Sequence, residues 1–204
     1  MPKSKERCQE IREEMREKIL HESMLFFARN GFAGTKISDL SKYIGIGQGT
    51  IYAYFQSKEE LFNEITKRIN YEQDVKELKM LTMLPITAKH KIHKLTESIM
   101  KKLENDENYA AKVTLNTQML FEEKEYASVD TTYRSDLYKY TAKIIKQGQK
   151  EGSVVLGNEI KLTDYYWSIV YLYSLKKLFT AQYESISIQD LERILLKDGI
   201  KNNA

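Results

Sequence analysis

The feature that most constrains this sequence is a glycine turn followed by a short run of small and aromatic residues. The turn, residues 45–47, is Gly-Ile-Gly, and residues 48–55 continue Gln-Gly-Thr-Ile-Tyr-Ala-Tyr-Phe. Just upstream, Ile37, Leu40 and Ile44 recur at the spacing of one helix face. Two short helices joined by a turn that contains glycine form a helix-turn-helix, whose second helix enters the major groove of DNA. We therefore predict a DNA-binding unit around this turn.

Helix start and stop signals flank the turn. Gly31 is predicted to end an N-terminal helix over residues 10–30, because glycine adopts the left-handed C-terminal geometry at little cost. Thr35 is predicted as the N-cap of the first motif helix, with Asp39 in its first turn. Ser57, followed three positions later by a glutamate, forms a capping box that begins the next helix.

The rest of the chain has helical rather than strand periodicity, so the predicted fold class is all-α, with a three-helix N-terminal head and a larger helical C-terminal body. We divide the chain into a head of residues 1–56 and a body of residues 57–204. The helix that opens the body keeps its apolar stripe as far as Leu78, which predicts one continuous helix connecting the two. Gly148 and Gly152 are predicted to close a later helix.

The segment of residues 165–173 is apolar nearly all round, whereas a helix in a surface layer shows one apolar stripe. It must be covered on two sides, by the core of the chain and by a partner. A second copy is the simplest partner, with a self-complementary patch; a fully central helix in a monomer is the alternative. The candidate interface residues are Tyr165, Ile169, Leu172, Tyr173, Leu191 and Leu195.

Composition excludes several classes of protein and favours others weakly. The net charge of +3 is too mild to identify a nucleic-acid binder by itself. The single cysteine, Cys8, forbids an internal disulfide and suits a reducing cytosol. The N-terminus lacks the apolar core of a signal peptide, and no run approaches the roughly 18 apolar residues of a membrane span. We expect a cytoplasmic protein without a membrane segment.

Catalytic and metal-binding patterns are weak. The glycines of residues 45–49 lack the spacing of a nucleotide-binding loop. His90 and His93 lie three apart on a helix and could hold a metal, but the lysines around them favour a solvated basic face. No pattern of nucleophile, base or carboxylate cluster suggests catalysis. We predict that the protein is not an enzyme and has no cofactor or metal.

Residues 49–61, Gly-Thr-Ile-Tyr-Ala-Tyr-Phe-Gln-Ser-Lys-Glu-Glu-Leu, resemble the TetR family of transcriptional regulators. Further matching positions are Ile19, Leu20, Phe27, Gly31, Phe32, Thr35, Ile37, Leu40 and Gly45. The remainder of the chain matches mainly in the number and length of its helices. The resemblance implies an all-helical homodimer with a DNA-binding head and a ligand-binding body, in which a small molecule releases the DNA.

The resemblance also implies which residues contact DNA. They are Thr35, Lys36, Ser38, Gln48, Gly49, Thr50, Tyr52, Tyr54 and Lys58. Thr35 would cap the first motif helix against a phosphate, and Tyr52 and Tyr54 would reach phosphates. The alternatives are that the two tyrosines are packing residues and that Lys58 is a solvated lysine. The sequence departs from the family at residues 47 and 48, where Gly and Gln replace a common Ser and Lys.

A ligand pocket in the body is expected to have aromatic and methionine walls. The candidate lining residues are Ile99, Leu103, Asn116, Met119, Tyr133, Leu137, Tyr140, Tyr166 and Trp167. Such walls suit an apolar, aromatic or cationic small molecule. The alternative is that the tyrosines belong to the core or to an interface.

Together these observations predict a sequence-specific DNA-binding transcriptional regulator, a repressor that a small-molecule ligand releases from its operator. The predicted partners are double-stranded operator DNA, a second copy of the chain and an unidentified effector. The alternative is a helical small-molecule-binding protein without DNA-binding activity, which the departures at Gly47 and Gln48 leave open.

Overall fold

The computed structural model describes residues 5–69, 72–122 and 135–197. Within these ranges the chain forms ten helices and one isolated antiparallel bridge, between Val154 and Leu196. The helices are α1 (Lys5–Asn30), α2 (Ile37–Ile44), α3 (Gln48–Tyr54), α4 (Lys58–Arg68), α5 (Glu72–Met83), α6 (Ala88–Asn105), α7 (Glu107–Glu122), α8 (Asp136–Lys150), α9 (Glu159–Phe179) and α10 (Ile188–Glu192). The all-α prediction is confirmed.

The chain divides into two compact units. The first unit contains residues up to 69 together with residues 111–118 of α7, and the second contains the remaining described residues. Helix α4 therefore belongs to the first unit, although the sequence prediction placed it in the body. The domain boundary after residue 56 stays a prediction.

The first unit is built on α1, which packs against α2 and α4, while α2 packs against α3. Its core consists of aliphatic and aromatic side chains that are at most 2% exposed: Ile19, Leu20, Phe27, Leu40, Ile51, Phe55, Leu61 and Ile65. Phe27 and Phe32 both contact the ring of Phe62, with centroids 5.4 and 4.4 Å away. Each fully buried side chain of this size contributes about 1.5–3 kcal/mol relative to exposure. This core fixes the geometry of the helix-turn-helix.

The turns of the first unit follow the predicted chemistry at three of four positions. Gly31 and Gly45 have φ of +72° and +77°, so both glycines end their helices in the left-handed region. Ser57 Oγ accepts a hydrogen bond from the Glu60 N–H at 3.0 Å, which confirms the cap of α4. The N-cap of α2, however, is Lys36 rather than Thr35. The Thr35 hydroxyl instead donates to the Gly31 carbonyl at 2.6 Å, which explains the difference.

Two predicted helix boundaries are wrong. Helix α1 begins at Lys5, five residues before its predicted start, so Lys5 and Arg7 belong to the helix. The continuous connecting helix is two helices, because α4 ends at Arg68 and α5 begins at Glu72. Two basic residues lie in the last turn of α4, and their interaction with the negative end of the helix dipole stabilises the end of the helix there.

The second unit centres on α8, which packs against α5, α6 and α9. Lys91 of α6 is only 2% exposed, so the predicted solvated basic face is wrong at this position. Its ammonium donates to the Thr82 carbonyl at 2.8 Å and to Gln147 Oε1 at 2.9 Å. The last carbonyls of a helix have no partner within the helix, and Lys91 satisfies one of them in α5.

Gly148 lies inside α8 and does not close it. A Cβ at this position would lie 2.2 Å from Val154 Cγ2, so glycine is required for close packing. Gly152, with φ of +77°, follows the end of the helix as predicted. No helix among the described residues is long and apolar enough to cross a membrane.

Candidate nucleic-acid interface

The first turn of α3 projects from the first unit. Its N-cap is Gly47, in extended conformation and with no side chain to close the helix end. Gln48 and Gly49 are exposed and Thr50 is half-buried. A Cβ placed on Gly49 would have no atom of the chain within 4 Å. Packing within the chain therefore does not require glycine here, and the backbone of this turn is open to a partner.

The opposite side of α3 packs against the core of the first unit. Ile51 and Phe55 are each 1% exposed, which confirms the predicted buried pair. Tyr52 is 50% exposed, so this tyrosine is not a packing residue. Tyr54 is half-buried and lies beside α1. The helix thus has one buried stripe and presents its remaining faces outward.

The start of α2 presents two of its three predicted contact residues. Lys36 is exposed and Ser38 half-buried, so their side chains are accessible. Thr35 is 4% exposed, and its hydroxyl is used by Gly31. The predicted cap between Thr35 and a phosphate is therefore wrong, since the side chain holds the turn before α2 instead.

Lys58 joins the start of α4 to the turn before α2. Its ammonium donates to the carbonyls of Phe32 and Thr35 at 2.9 and 3.1 Å. It also lies 4.3 Å from the centroid of the Phe32 ring, a cation–π distance. The alternative of a merely solvated lysine is wrong. A lysine ammonium has three donors, so one remains for a further acceptor.

Helix α1 carries a second set of contacts that the sequence analysis missed. Arg16 donates to Glu64 Oε2 of α4 at 3.1 Å, and its guanidinium lies 5.0 Å from the centroid of the Phe55 ring. Glu17 pairs with both terminal nitrogens of Arg68. The hydrogen bonds from Arg68 lower the pKa of Glu17 below its ordinary value, against a small opposing effect of burial. These pairs hold α1 and α4 in register.

The second unit contains a cavity of about 190 Å³. Its walls come from α5, α6, α8, α9 and the first turn of α7, and they include the side chains of Leu78, Leu81, Leu95, Ile99, Tyr109, Leu137 and Trp167. Lys102 lies at its rim and pairs with Asp74 Oδ1 at 2.8 Å and with Glu77 Oε2 at 3.3 Å. Although burial acts in the opposite direction, these two carboxylates raise the pKa of Lys102. The cavity is apolar and aromatic with a charged rim.

Three of the predicted pocket residues line this cavity: Ile99, Leu137 and Trp167. Leu103, Tyr140 and Tyr166 do not line the cavity. Asn116 belongs to the first unit. The side chains of Met119 and Tyr133 lie outside the described part of the structure. Tyr166 is fully buried, which raises its pKa, and its hydroxyl lies 3.0 Å from Thr96 Oγ1. Tyr166 is therefore a core residue, as the alternative interpretation proposed.

Helix α9 has a buried and an exposed apolar side. Tyr165, Leu172 and Phe179 are 55%, 47% and 56% exposed and recur every seven residues. We call this the outer face of α9; Ile169 and Tyr173 beside it are half-buried. Phe179 was not predicted.

Two of the residues predicted for an interface are not available to a partner. Leu191 and Leu195 are 0% and 1% exposed, so their side chains are already covered within the chain. Helix α10 packs against α6, and this contact explains the burial of Leu191. The interface prediction is therefore wrong at these two positions.

Comparison with known proteins identifies the N-terminal helices. A family model described as bacterial regulatory proteins, tetR family, matches residues 19–65, the segment that contains the helix-turn-helix. The uncharacterized HTH-type transcriptional regulator YerO of Bacillus subtilis is 31% identical over 128 residues, covering 53% of this chain and 44% of YerO. The chain spans about half or less of the length of the curated relatives it matches.

Two solved structures share the fold over most of the chain. The ketosteroid transcriptional regulator KstR2 of Mycobacterium tuberculosis aligns with a TM-score of 0.63 at 16% identity, covering 90% of this chain and 96% of KstR2. AibR, solved in complex with isovaleryl coenzyme A and operator DNA, aligns with a TM-score of 0.60 at 12% identity, covering 87% and 94%. Residues 19–65 of this chain therefore match the tetR family of bacterial regulatory proteins, and the described helices share the fold of the two solved structures.

Proposed function

We propose that this protein is a sequence-specific DNA-binding transcriptional regulator and that its first unit binds double-stranded operator DNA. The observation that carries the proposal is the first turn of α3, which is exposed and open at Gly49. The major groove of DNA admits an α-helix, and small residues in the first turn let the backbone of the helix approach the base edges closely. The bulky side chains of α3 that anchor it lie on the other side, against the core.

The residues around this turn have the chemistry that duplex DNA requires. Gln48 offers a donor and an acceptor, the pair that recognises an adenine edge in the major groove. Lys36 and Tyr52 are exposed and suit phosphate oxygens, which position a protein on the duplex without reading its sequence. Lys58 retains one donor and lies at the start of α4, where it supports the turn before α2.

We further propose that the protein acts as a homodimer through the outer face of α9. Three large apolar side chains at seven-residue spacing are the pattern of a helix that packs against another helix. A two-fold axis through this face pairs the patch with itself and brings two heads to one duplex. Such a dimer belongs in the cytoplasm, where operator DNA is found.

The cavity of the second unit is our candidate for the effector site. Its apolar and aromatic walls suit a small apolar, aromatic or cationic molecule, and its volume of about 190 Å³ limits the buried part to roughly the size of one substituted ring. Binding that favours one arrangement of the dimer over another would release the operator, which is the repressor mechanism. The isovaleryl coenzyme A in the AibR structure is a ligand of that protein.

Selection from a pool of randomised duplexes tests the proposal. The wild-type protein should enrich one motif, with the two-fold symmetry of a dimer, and should bind it far more tightly than a scrambled duplex. Failure to enrich any motif, with a folded dimer at low salt, would contradict it. Ligand binding at the cavity without any DNA affinity would favour the alternative, a helical small-molecule-binding protein.

A further inference from the structure

The part of α1 that precedes the family match forms a structured flank of the helix-turn-helix. The match begins at residue 19, whereas α1 begins at Lys5. We call residues 5–18 the α1 extension. It is helical, and its last two turns pack beside the end of α3 through Arg12 and Arg16. The groove between them is lined by Cys8, Gln9, Arg12, Glu13, Arg16 and Tyr54.

The two arginines of this groove differ in their partners. Arg16 is half-buried and paired with Glu64, so its charge is used within the chain. Arg12 is exposed, and its guanidinium carbon lies 5.9 Å from the centroid of the Tyr54 ring. No described carboxylate forms an ion pair with Arg12. A planar guanidinium held against a ring keeps its donors free for an anionic acceptor such as a phosphate.

Charge is segregated around the α1 extension. Arg12 and Arg16 lie four residues apart on the side that faces the end of α3. The acidic residues cluster on another face, at Glu6, Glu10, Glu14 and Glu17. Glu13 also lines the groove and keeps its negative charge, with Gln9 Nε2 donating to its carboxylate at 3.1 Å. The groove next to α3 is therefore lined by two arginines and one glutamate, a net positive charge that attracts a polyanion.

The length of α3 sets how far Arg12 lies from the first turn of that helix. From Gln48 to Tyr54 the helix rises about 9 Å at about 1.5 Å per residue. The major groove of B-DNA is about 12 Å wide. If the first turn of α3 lies in the groove, its last turn reaches the sugar-phosphate strand that borders the groove. Arg12 lies against that last turn.

We propose that Arg12, positioned on the ring of Tyr54, is an additional phosphate contact of the operator complex, and that the α1 extension is part of the DNA-binding surface. This inference rests on the proposed function. The role of Arg12 is to position the protein on the duplex and not to read its sequence, because phosphates carry no direct sequence information.

The test compares Arg12→Gln with Lys18→Gln by fluorescence anisotropy, on a duplex that the wild-type protein has selected from a random pool. Both variants remove one positive charge from an exposed residue of the extension, but Lys18 lies on the side away from Tyr54. Each lost phosphate contact makes the slope of log Kobs against log salt less negative by about 0.9. The ratio of the Kd of Arg12→Gln to the Kd of the wild-type protein should therefore fall by about 3-fold per contact between 50 and 200 mM salt.

Three results separate the outcomes. The inference holds if Arg12→Gln reduces the salt slope, Lys18→Gln does not, and the preference for selected over scrambled duplex is unchanged. It is overturned if the two variants behave alike, or if Arg12→Gln binds as tightly as wild type at every salt concentration. If the wild-type protein selects no duplex at all, the proposed function itself fails. Equal melting temperatures of the two variants exclude a folding defect as the cause.

Coupling to the ring gives a second readout. Tyr54→Phe keeps the aromatic face under Arg12, whereas Tyr54→Leu removes it. We expect the effect of Arg12→Gln on affinity to persist in the Phe background and to diminish in the Leu background. Equal effects in both backgrounds would show that the ring does not position Arg12.

Discussion

Replacing Gly49 by alanine separates DNA contact from folding at a single position. A Cβ at this site meets no atom of the chain within 4 Å, and the residue lies in the first turn of α3. Alanine is favoured over glycine in a helix by about 0.5–1 kcal/mol. Gly49→Ala should therefore leave the melting temperature of the free protein unchanged or slightly raised.

In the proposed DNA complex, the same methyl group would lie where the backbone of α3 approaches the groove. Loss of a groove contact costs about 1–3 kcal/mol, which corresponds to a Kd about 5- to 140-fold weaker for each affected subunit contact. Since alanine carries no charge, the number of phosphate contacts and the salt dependence should stay as in wild type. This pattern is the opposite of that expected for Arg12→Gln.

Anisotropy on the selected duplex at two salt concentrations, paired with thermal unfolding of the free variant, measures both effects. Weaker binding by a stable Gly49→Ala protein with an unchanged salt slope supports the geometry. If Gly49→Ala bound DNA as tightly as the wild-type protein, the first turn of α3 would not approach the groove as proposed. A lower melting temperature would refute the claim that the site is open within the chain.

Three other predictions concern stability and assembly. Lys58→Met removes the donors to the carbonyls of Phe32 and Thr35 and should lower the free energy of unfolding by about 1–3 kcal/mol, measured by urea denaturation; an unchanged midpoint would contradict the bracing role. Leu172→Glu places a charge on the outer face of α9 and should convert dimers to monomers in analytical ultracentrifugation, whereas an unchanged sedimentation coefficient would place the interface elsewhere. The hydrogen bonds that lower the pKa of Glu17 stabilise the fold above the ordinary carboxyl pKa of 4.5, and this contribution is lost as pH falls through the lower folded value. Melting curves below pH 5 should thus show a smaller acid-induced decrease for Arg68→Gln than for wild type, and parallel curves would contradict the pairing.

The helix-turn-helix was predictable because its determinants are local. Glycine at positive φ, a serine cap and apolar residues at helical spacing act within a few residues of one another. Ile51 and Phe55 are buried as their four-residue spacing predicts. Thr35 shows the limit of local patterns. Its hydroxyl could cap the helix that follows or bond to the turn that precedes it, and in the structure it donates to the Gly31 carbonyl of that turn.

The errors in the second unit have a common cause in tertiary packing. Lys91 lies in a polar stretch of sequence, yet the unpaired carbonyls at the end of α5 draw its ammonium inside. Tyr166 has the residue type expected of a pocket wall. The packing of α6 against α9, which the sequence does not show, places its hydroxyl beside Thr96 in the core. The charged rim around Lys102 joins residues 25 or more positions apart in sequence, which periodicity does not detect.

Recognition of one duplex sequence by the first unit can be tested directly with two binding measurements. The dissociation constants of the wild-type protein for the selected duplex and for a scrambled duplex of equal length are compared at physiological salt. We expect the selected duplex to bind at least about 1,000-fold more tightly, which is the lower end of the range for specific DNA-binding proteins. Equal affinities for the two duplexes, or none for either, would contradict it.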